Sequence, residues 1–379
     1  FATCRNVVFL TPICYSQCMK TTVVARSESR TESRAIYVAL ASAGVGLLTG
    51  LALFFSAERV TLFERGVSLG SVASIMAVVV ALAVYLLAAS YHERPLEKRV
   101  WARTEHLLNI VSLAIVFGLL AFLSCALVFF IISIAFRGAT VDMWAASVLL
   151  ALSLSVVGYA AYLMAAGMNA MRVSAILALF LVSGTFISMM TASDPLWWDV
   201  HFSSLGAGGG ISGYAFNATL IIAGLVIVAL SKYIIDDFTR LQQQGQIPKQ
   251  AKALLMRVLL AGIGISLAFV GLFVYDVFPL THNIAAFGMA ALFGVIIIIL
   301  PWLVPGFLPA FFVASYALIA GLIVAAWLFW GIGYFNLTVF ELVAAAVIFT
   351  WLALFVRHVA ALLDDETMKR PRAKEEGNG

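Results

Sequence analysis

The sequence predicts an all-α integral membrane protein, a helical bundle of about ten transmembrane helices with both termini on the inner face. Three observations predict it. The 379 residues are 63% hydrophobic and 11% charged, with a mean hydropathy of +1.04; a soluble domain runs about 45–50% apolar and about 25% charged. The apolar residues gather into ten runs, most of them long enough to cross about 30 Å of hydrocarbon. The Lys and Arg residues fall on alternate connections between those runs. Together these exclude a soluble globular domain, a disordered chain and a nucleic-acid-binding domain.

The runs are 35–55, 68–90, 107–136, 144–167, 173–191, 213–231, 254–275, 284–300, 307–331 and 338–362. No run carries a charge near its centre, and none alternates as a barrel strand would, so helices are the only reading that satisfies the backbone in lipid. With the N-terminus inside, the inner segments hold all the Lys and Arg after Met19 except Arg59, Arg65 and Arg137. An odd number of spans would destroy that positive-inside bias. The outer segments carry Glu58, Glu64, Asp142, Asp194, Asp199, Asp276 and Glu341, and are net negative. The formal charge of +4 is therefore a topology signal and an attraction for anionic inner-leaflet lipid. No nucleic-acid partner is assigned.

The expected organisation is a tail over 1–34, a four-span unit over 35–167, a six-span domain over 168–362 and a charged cytoplasmic tail over 363–379. Residues 1–18, before Met19, have neither a basic n-region nor a long apolar core, and are expected to lie upstream of the native start. They hold Cys4, Cys14 and Cys18. The fourth cysteine, Cys125, sits in an apolar run and is expected to act as a small buried hydrophobe.

Among the connections, Lys232–Ala253 reads as a short Gln-rich surface helix and then a Gly-Gln-Ile-Pro break. Pro301, Pro305 and Pro309 read as a tight inner turn. Gly44, Gly46 and Gly50, with Gly262 and Gly264, are expected to allow close helix approach. His92, His106 and His358 read as ordinary interface residues.

The polar residues that topology leaves unexplained lie in the outer connections. One runs Asp194-Pro-Leu-Trp197-Trp198-Asp199-Val-His201-Phe-Ser-Ser204-Leu-Gly206, and the next span opens with Tyr214, Phe216 and Asn217. A second turn runs Asp276-Val-Phe-Pro-Leu-Thr-His282-Asn283. Glu341 lies just inside the tenth run, where an ionisable group marks a site. If the first loop folds over the bundle end, His201, His282 and Glu341 converge. Imidazoles and carboxylates together bind divalent metal or perform acid–base work near neutral pH. The spacing matches no helical metal signature, so no metal ligand is assigned and no cofactor is evident. Ser203 and Ser204 lack the Gly-x-Ser-x-Gly elbow of a covalent nucleophile. The glycines at 206 and 208–210 lack a following Lys-Ser/Thr and read as a flexible turn. A structural account, with the histidines holding loops and Asp194 and Asp276 capping, competes with every one of these roles.

The acidic-Pro/Trp-His-x-Ser-x-Leu-Gly loop, the Phe-Asn opening and the later Phe-Pro-x-x-His-Asn-x-Ala-Ala turn resemble the bacterial domain-of-unknown-function family 998. That family is distantly similar to the eukaryotic DRAM/Sfk-type six-span proteins. The resemblance covers about residues 170–362 and matches His201, Ser204, Leu205, Gly206, Phe216, Asn217, His282 and Asn283. It implies a polytopic membrane protein of unestablished activity, with relatives in lipid-anchor and trafficking roles. The four N-terminal spans depart from the six-span pattern.

Three functions stay open. The first is binding or organising lipid or a membrane partner, including a second copy, at a bacterial plasma membrane. It would work through Asp194, Trp197, Trp198, Asp199, His201, Ser204, Asn217, Asp276, His282 and Asn283. The second is an outer-face enzyme acting on a lipid or lipid-linked head group, with His201, His282 and Glu341 as acid, base or metal ligands. The third is a small-solute transporter, disfavoured by the lack of intramembrane charge.

Overall fold

The computed structural model describes residues 12–64, 66–92, 100–243, 250–303 and 307–376, with side chains described over a slightly narrower set. The stretch 1–11, the basic connection 93–99, the Gly-Gln-Ile-Pro break and Pro305 lie outside the described residues. Among the described residues, ten helices are long and apolar enough to cross a membrane. The described strands are two residues each. Every span leaves large apolar side chains on its surface (Leu48, Leu87, Val156, Phe186 and Ile298 among them); lipid is the solvent that accepts such a surface.

Contacts divide the chain into two units, 1–96 with 117–167, and 97–116 with 168–379. The first unit contains α1 (Pro12–Phe54), α2 (Leu69–His92), the later half of α3 (Val100–Ala135) and α4 (Met143–Ala166). Helices α1 and α4 cross closely because glycines remove the side chains between them. A Cβ on Gly46 would stand 2.7 Å from Ala151 Cα, and one on Gly50 would stand 2.6 Å from Ser147 Cα. On α4, Gly158 receives the Ser42 side chain. Gly46 and Gly50 are four residues apart and share a helix face. Gly44 is off that face with open space around it, so the expectation of close packing fails there.

Two connections of this unit are joined by a small antiparallel ladder, β1 (Val60–Thr61) on β2 (Thr140–Val141). Asp142 then caps α4, accepting the backbone N–H of Trp144 at 2.8 Å and of Ala145 at 3.0 Å. Those donors hold its carboxyl below the usual carboxylate range. Beneath the ladder, Phe54, Leu69, Phe129 and Leu150 form a buried core with Cys125 among them, which bears out the reading of that cysteine.

The second unit holds the first half of α3, then α5 (Ala170–Met190), the single-turn α6 (Ser204–Ala207), α7 (Ile211–Gln243), α8 (Gln250–Leu272), α9 (Pro279–Leu303), α10 (Pro309–Trp330) and α11 (Leu337–Glu376). Helix α7 packs against both α5 and α8. Gly224 of α7 and Gly264 of α8 face one another backbone to backbone: a Cβ on Gly264 would stand 3.0 Å from Val228 N and closer still to Gly224 O. Gly262 meets only the Leu292 side chain, 2.9 Å from its would-be Cβ.

Helix α10 is mostly lipid-exposed and is held to α11 by stacked rings. Phe311 of α10 lies nearly parallel to the His358 ring of α11 at 5.0 Å, and the Trp351 indole N–H donates to Ser315 Oγ at 3.0 Å. That buries a polar ring edge with its bond made, as an apolar interior requires.

Several boundaries differ from the sequence reading. Helices α1 and α11 run from Pro12 and to Glu376, so much of the expected tails continues the terminal helices. Helix α7 runs unbroken to Gln243, so the Gln-rich stretch extends a span. Helix α9 begins at Pro279, which puts His282 and Asn283 on its first turns rather than in a loop; Pro at a first helical position is pre-organised for that start. Pro301 lies inside α9, not in a turn. Nearby, Lys252 donates to Trp302 O at 2.8 Å and lies 4.6 Å over its ring, which supplies a partner for a carbonyl in the last turn.

Candidate functional site

At one end of the second unit the connection from α5 to α7 folds into a cap. A single 3-10 turn over Trp197–Asp199 leads to α6. The sequence builds this locally. Asp194 accepts the Leu196 N–H at 2.8 Å, an Asx-type turn. Ser204 Oγ donates to Trp197 O at 3.0 Å and closes the segment on itself. Asn217, near the start of α7, donates to Gly206 O at 2.9 Å. Gly206 is required because a Cβ there would strike Asn217 Oδ1 and the Phe216 ring. Buried Ser188 and Ser212 bond one another, pinning the end of α5 to the start of α7.

Long-range bonds then tie the cap to the other helices of the unit. The Phe202 N–H donates to Glu341 Oε2 at 2.5 Å, with the Ser203 N–H directed at the same carboxyl. Asn336 donates to Trp198 O at 3.0 Å, and its own Oδ1 accepts the Val339 N–H at 2.9 Å as the cap of α11. His282 Nδ1 lies 2.8 Å from Phe273 O. A carbonyl only accepts, so Nδ1 carries a proton, and in the neutral ring Nε2 accepts from the Ser203 hydroxyl at 3.2 Å.

His201 is buried, with its ring edge-on to Tyr275 at 4.4 Å; Tyr275 in turn meets His282 at 5.6 Å. Burial lowers the His201 pKa below its ordinary 6.5, the Asp276 carboxylate opposes the fall and His282 adds to it.

Of the sequence candidates, His201, His282, Glu341, Ser204, Asn217 and Trp197 come together around residues 197–206. Trp197 packs on Phe202 at 6.3 Å, and Phe202 meets Phe216 edge-on at 5.2 Å. Trp198, Asp194, Asp199, Asp276 and Asn283 lie exposed around this core. The sequence reading did not single out Tyr275, Ser188 or Ser212. Asn336 was legible as well, since an Asn before an apolar run is a helix-cap signal.

The chemistry of this arrangement is that of a latch. Ser203 and His282 have the contact of a nucleophile and its base, but the amides near Ser203 are committed. Those of Ser204, Leu205 and Gly206 donate to the carbonyls of His201, Phe202 and Ser203 at 3.0, 3.3 and 3.0 Å, and those of Phe202 and Ser203 face Glu341. An acyl-transfer site aims such donors at the developing oxyanion; here they hold the loop. His282 likewise has both ring nitrogens engaged. Among the described residues, no three His, Cys, Asp or Glu side chains form a metal-holding group.

No family model, curated protein or solved structure matches the chain.

Proposed function

We propose that the chain is a bacterial plasma-membrane protein with both termini cytoplasmic, whose capped end faces outward and binds and organises lipid. It acts by binding rather than turnover, and needs no cofactor. The kinship with family 998 belongs to the same proposal. One observation carries it: the cap is cross-tied through Glu341, Asn336 and His282, and it presents exposed Trp198, Ile211 and Tyr214 beside the ends of the spans. Amphipathic rings at that depth sit at the headgroup level of a bilayer. A rigid apolar rim loses little entropy when it engages lipid. The headgroup-enzyme reading gains no observation of its own, since the groups it needs are spent on the latch.

Native mass spectrometry of the protein released from membranes tests the reading. Wild type is expected to retain phospholipid through collisional activation, and Trp198→Ala with Tyr214→Ala to retain clearly less at unchanged helix content. Equal retention by the two proteins sinks it.

A further inference from the structure

Three helices of the first unit bring a cationic and phenolic cluster together at the membrane boundary where α1 enters. The guanidinium carbon of Arg34 on α1 lies 4.8 Å from the centre of the Tyr91 ring of α2, a cation–π contact. Its N–H groups are directed at the hydroxyls of Tyr91 and of Tyr162 on α4. Tyr162 is buried, and His92 of α2 meets its ring edge-on at 5.8 Å. The His92 ring is itself tied to the backbone, with Nδ1 2.9 Å from Ala88 O.

Arg34 is exposed. Among the described residues no carboxylate meets it; its partners are the two phenols. Glu32, the nearest acid in sequence, is engaged by the Tyr159 hydroxyl. Arg30 is exposed one turn earlier on the same helix face. A guanidinium has more N–H donors than two hydroxyl oxygens occupy, and each phenol keeps its own O–H to donate. The cluster therefore offers positive charge and convergent donors without an internal anion, which suits a phosphate.

The surface beyond Arg34 points to the source of that phosphate. At steps of three and four residues the same face of α1 carries Tyr37, Ala41, Gly44 and Leu48, all exposed. A Cβ on Gly44 would meet nothing within 4 Å, and Ala41 adds only a methyl group, so a shallow trough runs between the Tyr37 and Leu48 side chains. Gly44 stands ten residues beyond Arg34, roughly 15 Å at 1.5 Å per residue. That is about the hydrocarbon depth of one leaflet. A free phosphate ion leaves the trough unused, whereas a phospholipid occupies both parts.

We propose that this cluster binds an anionic phospholipid, its phosphate on Arg34, Tyr91 and Tyr162 and one acyl chain along Tyr37, Ala41, Gly44 and Leu48. The charge of Arg34 is not neutralised and Arg30 adds to it, so a headgroup bearing an ammonium is disfavoured. All these residues belong to the first unit, and the site stands whether or not the capped end binds lipid.

The test places the full chain in phosphatidylcholine bilayers with a trace of phosphatidylglycerol carrying a diazirine at mid-chain. After illumination the adducts are mapped by peptide mass spectrometry. They are expected to concentrate on residues 37–48 and to fall several-fold in Arg34→Gln. Arg34→Lys keeps the charge without the planar fork and should lie between. Gly44→Leu enters open space, so it should keep the helix content while filling the trough and displacing the adducts; it serves as the second variant should Arg34→Gln fail to fold. Adducts spread evenly over the exposed faces of the spans, or unchanged by Gly44→Leu and by a folded Arg34→Gln, overturn the site. Equal labelling by a phosphatidylcholine probe overturns the anionic preference. Competition by inorganic phosphate overturns the lipid as the source.

Discussion

Gly264→Leu is expected to part α7 from α8 and to cause the largest loss of any single change in the second unit. A side chain at 264 is driven into the backbone of Gly224 and Val228, and backbone cannot rotate aside as a side chain can. Helices in lipid associate through such close van der Waals contact, because no hydrophobic force between them replaces it. Overpacking a filled interior costs about 1–3 kcal/mol, and more where main chain must move. The consequence reaches the cap, since Asn217 and Phe216 lie on the same helix as Gly224. Denaturation in mixed micelles followed by circular dichroism should show a clear drop in midpoint. Gly262→Leu meets only the flexible Leu292 and should cost much less. Equal losses at 262 and 264 would contradict the account of the crossing.

The second large effect is expected from Glu341→Ala. It removes the acceptor of the Phe202 N–H and leaves that donor and its Ser203 neighbour without their partner. Orphaning a buried donor costs about 1–3 kcal/mol. The loss is local, because the helices do not depend on this bond. Hydrogen exchange should therefore rise at residues 201–206 and stay unchanged in α7 and α8. Glu341→Gln keeps a carbonyl oxygen for the Phe202 N–H and should lie between wild type and alanine. Uniform acceleration across the unit would mean that Glu341 supports the fold as a whole, not the cap.

These two residues differ in how they could be read beforehand. Gly264 announces itself, since a small residue in an apolar run permits close approach, and spacing sorts its neighbours. Gly46 and Gly50 share a face and pack, whereas Gly44 is turned away. Glu341 is legible as an anomaly, an acid just inside a span, but its partner is a backbone N–H 139 residues away, and every residue except proline carries that group. Sequence reasoning could place His201, His282 and Glu341 at one end by counting spans. It could not say that His282 donates to Phe273 and accepts from Ser203, which turns a catalytic-looking pair into a latch. The start of α9 was misplaced because Thr281, His282 and Asn283 are polar, although Pro279 marked the true first turn. The extension of α7 through Asp236, Asp237 and Arg240 escaped for a similar reason: the helix leaves the apolar layer without ending.

The account depends on which side of the membrane the cap occupies. In a variant with Cys4, Cys14, Cys18 and Cys125 replaced by alanine, single cysteines are placed at Val200 in the cap and at Gln243 at the far end of α7, both exposed. A membrane-impermeant maleimide is applied to intact cells. The account predicts that Val200→Cys is labelled at once and Gln243→Cys only after lysis. Labelling in the reverse order would contradict it, placing the cap in the cytoplasm and removing the outward lipid-binding face.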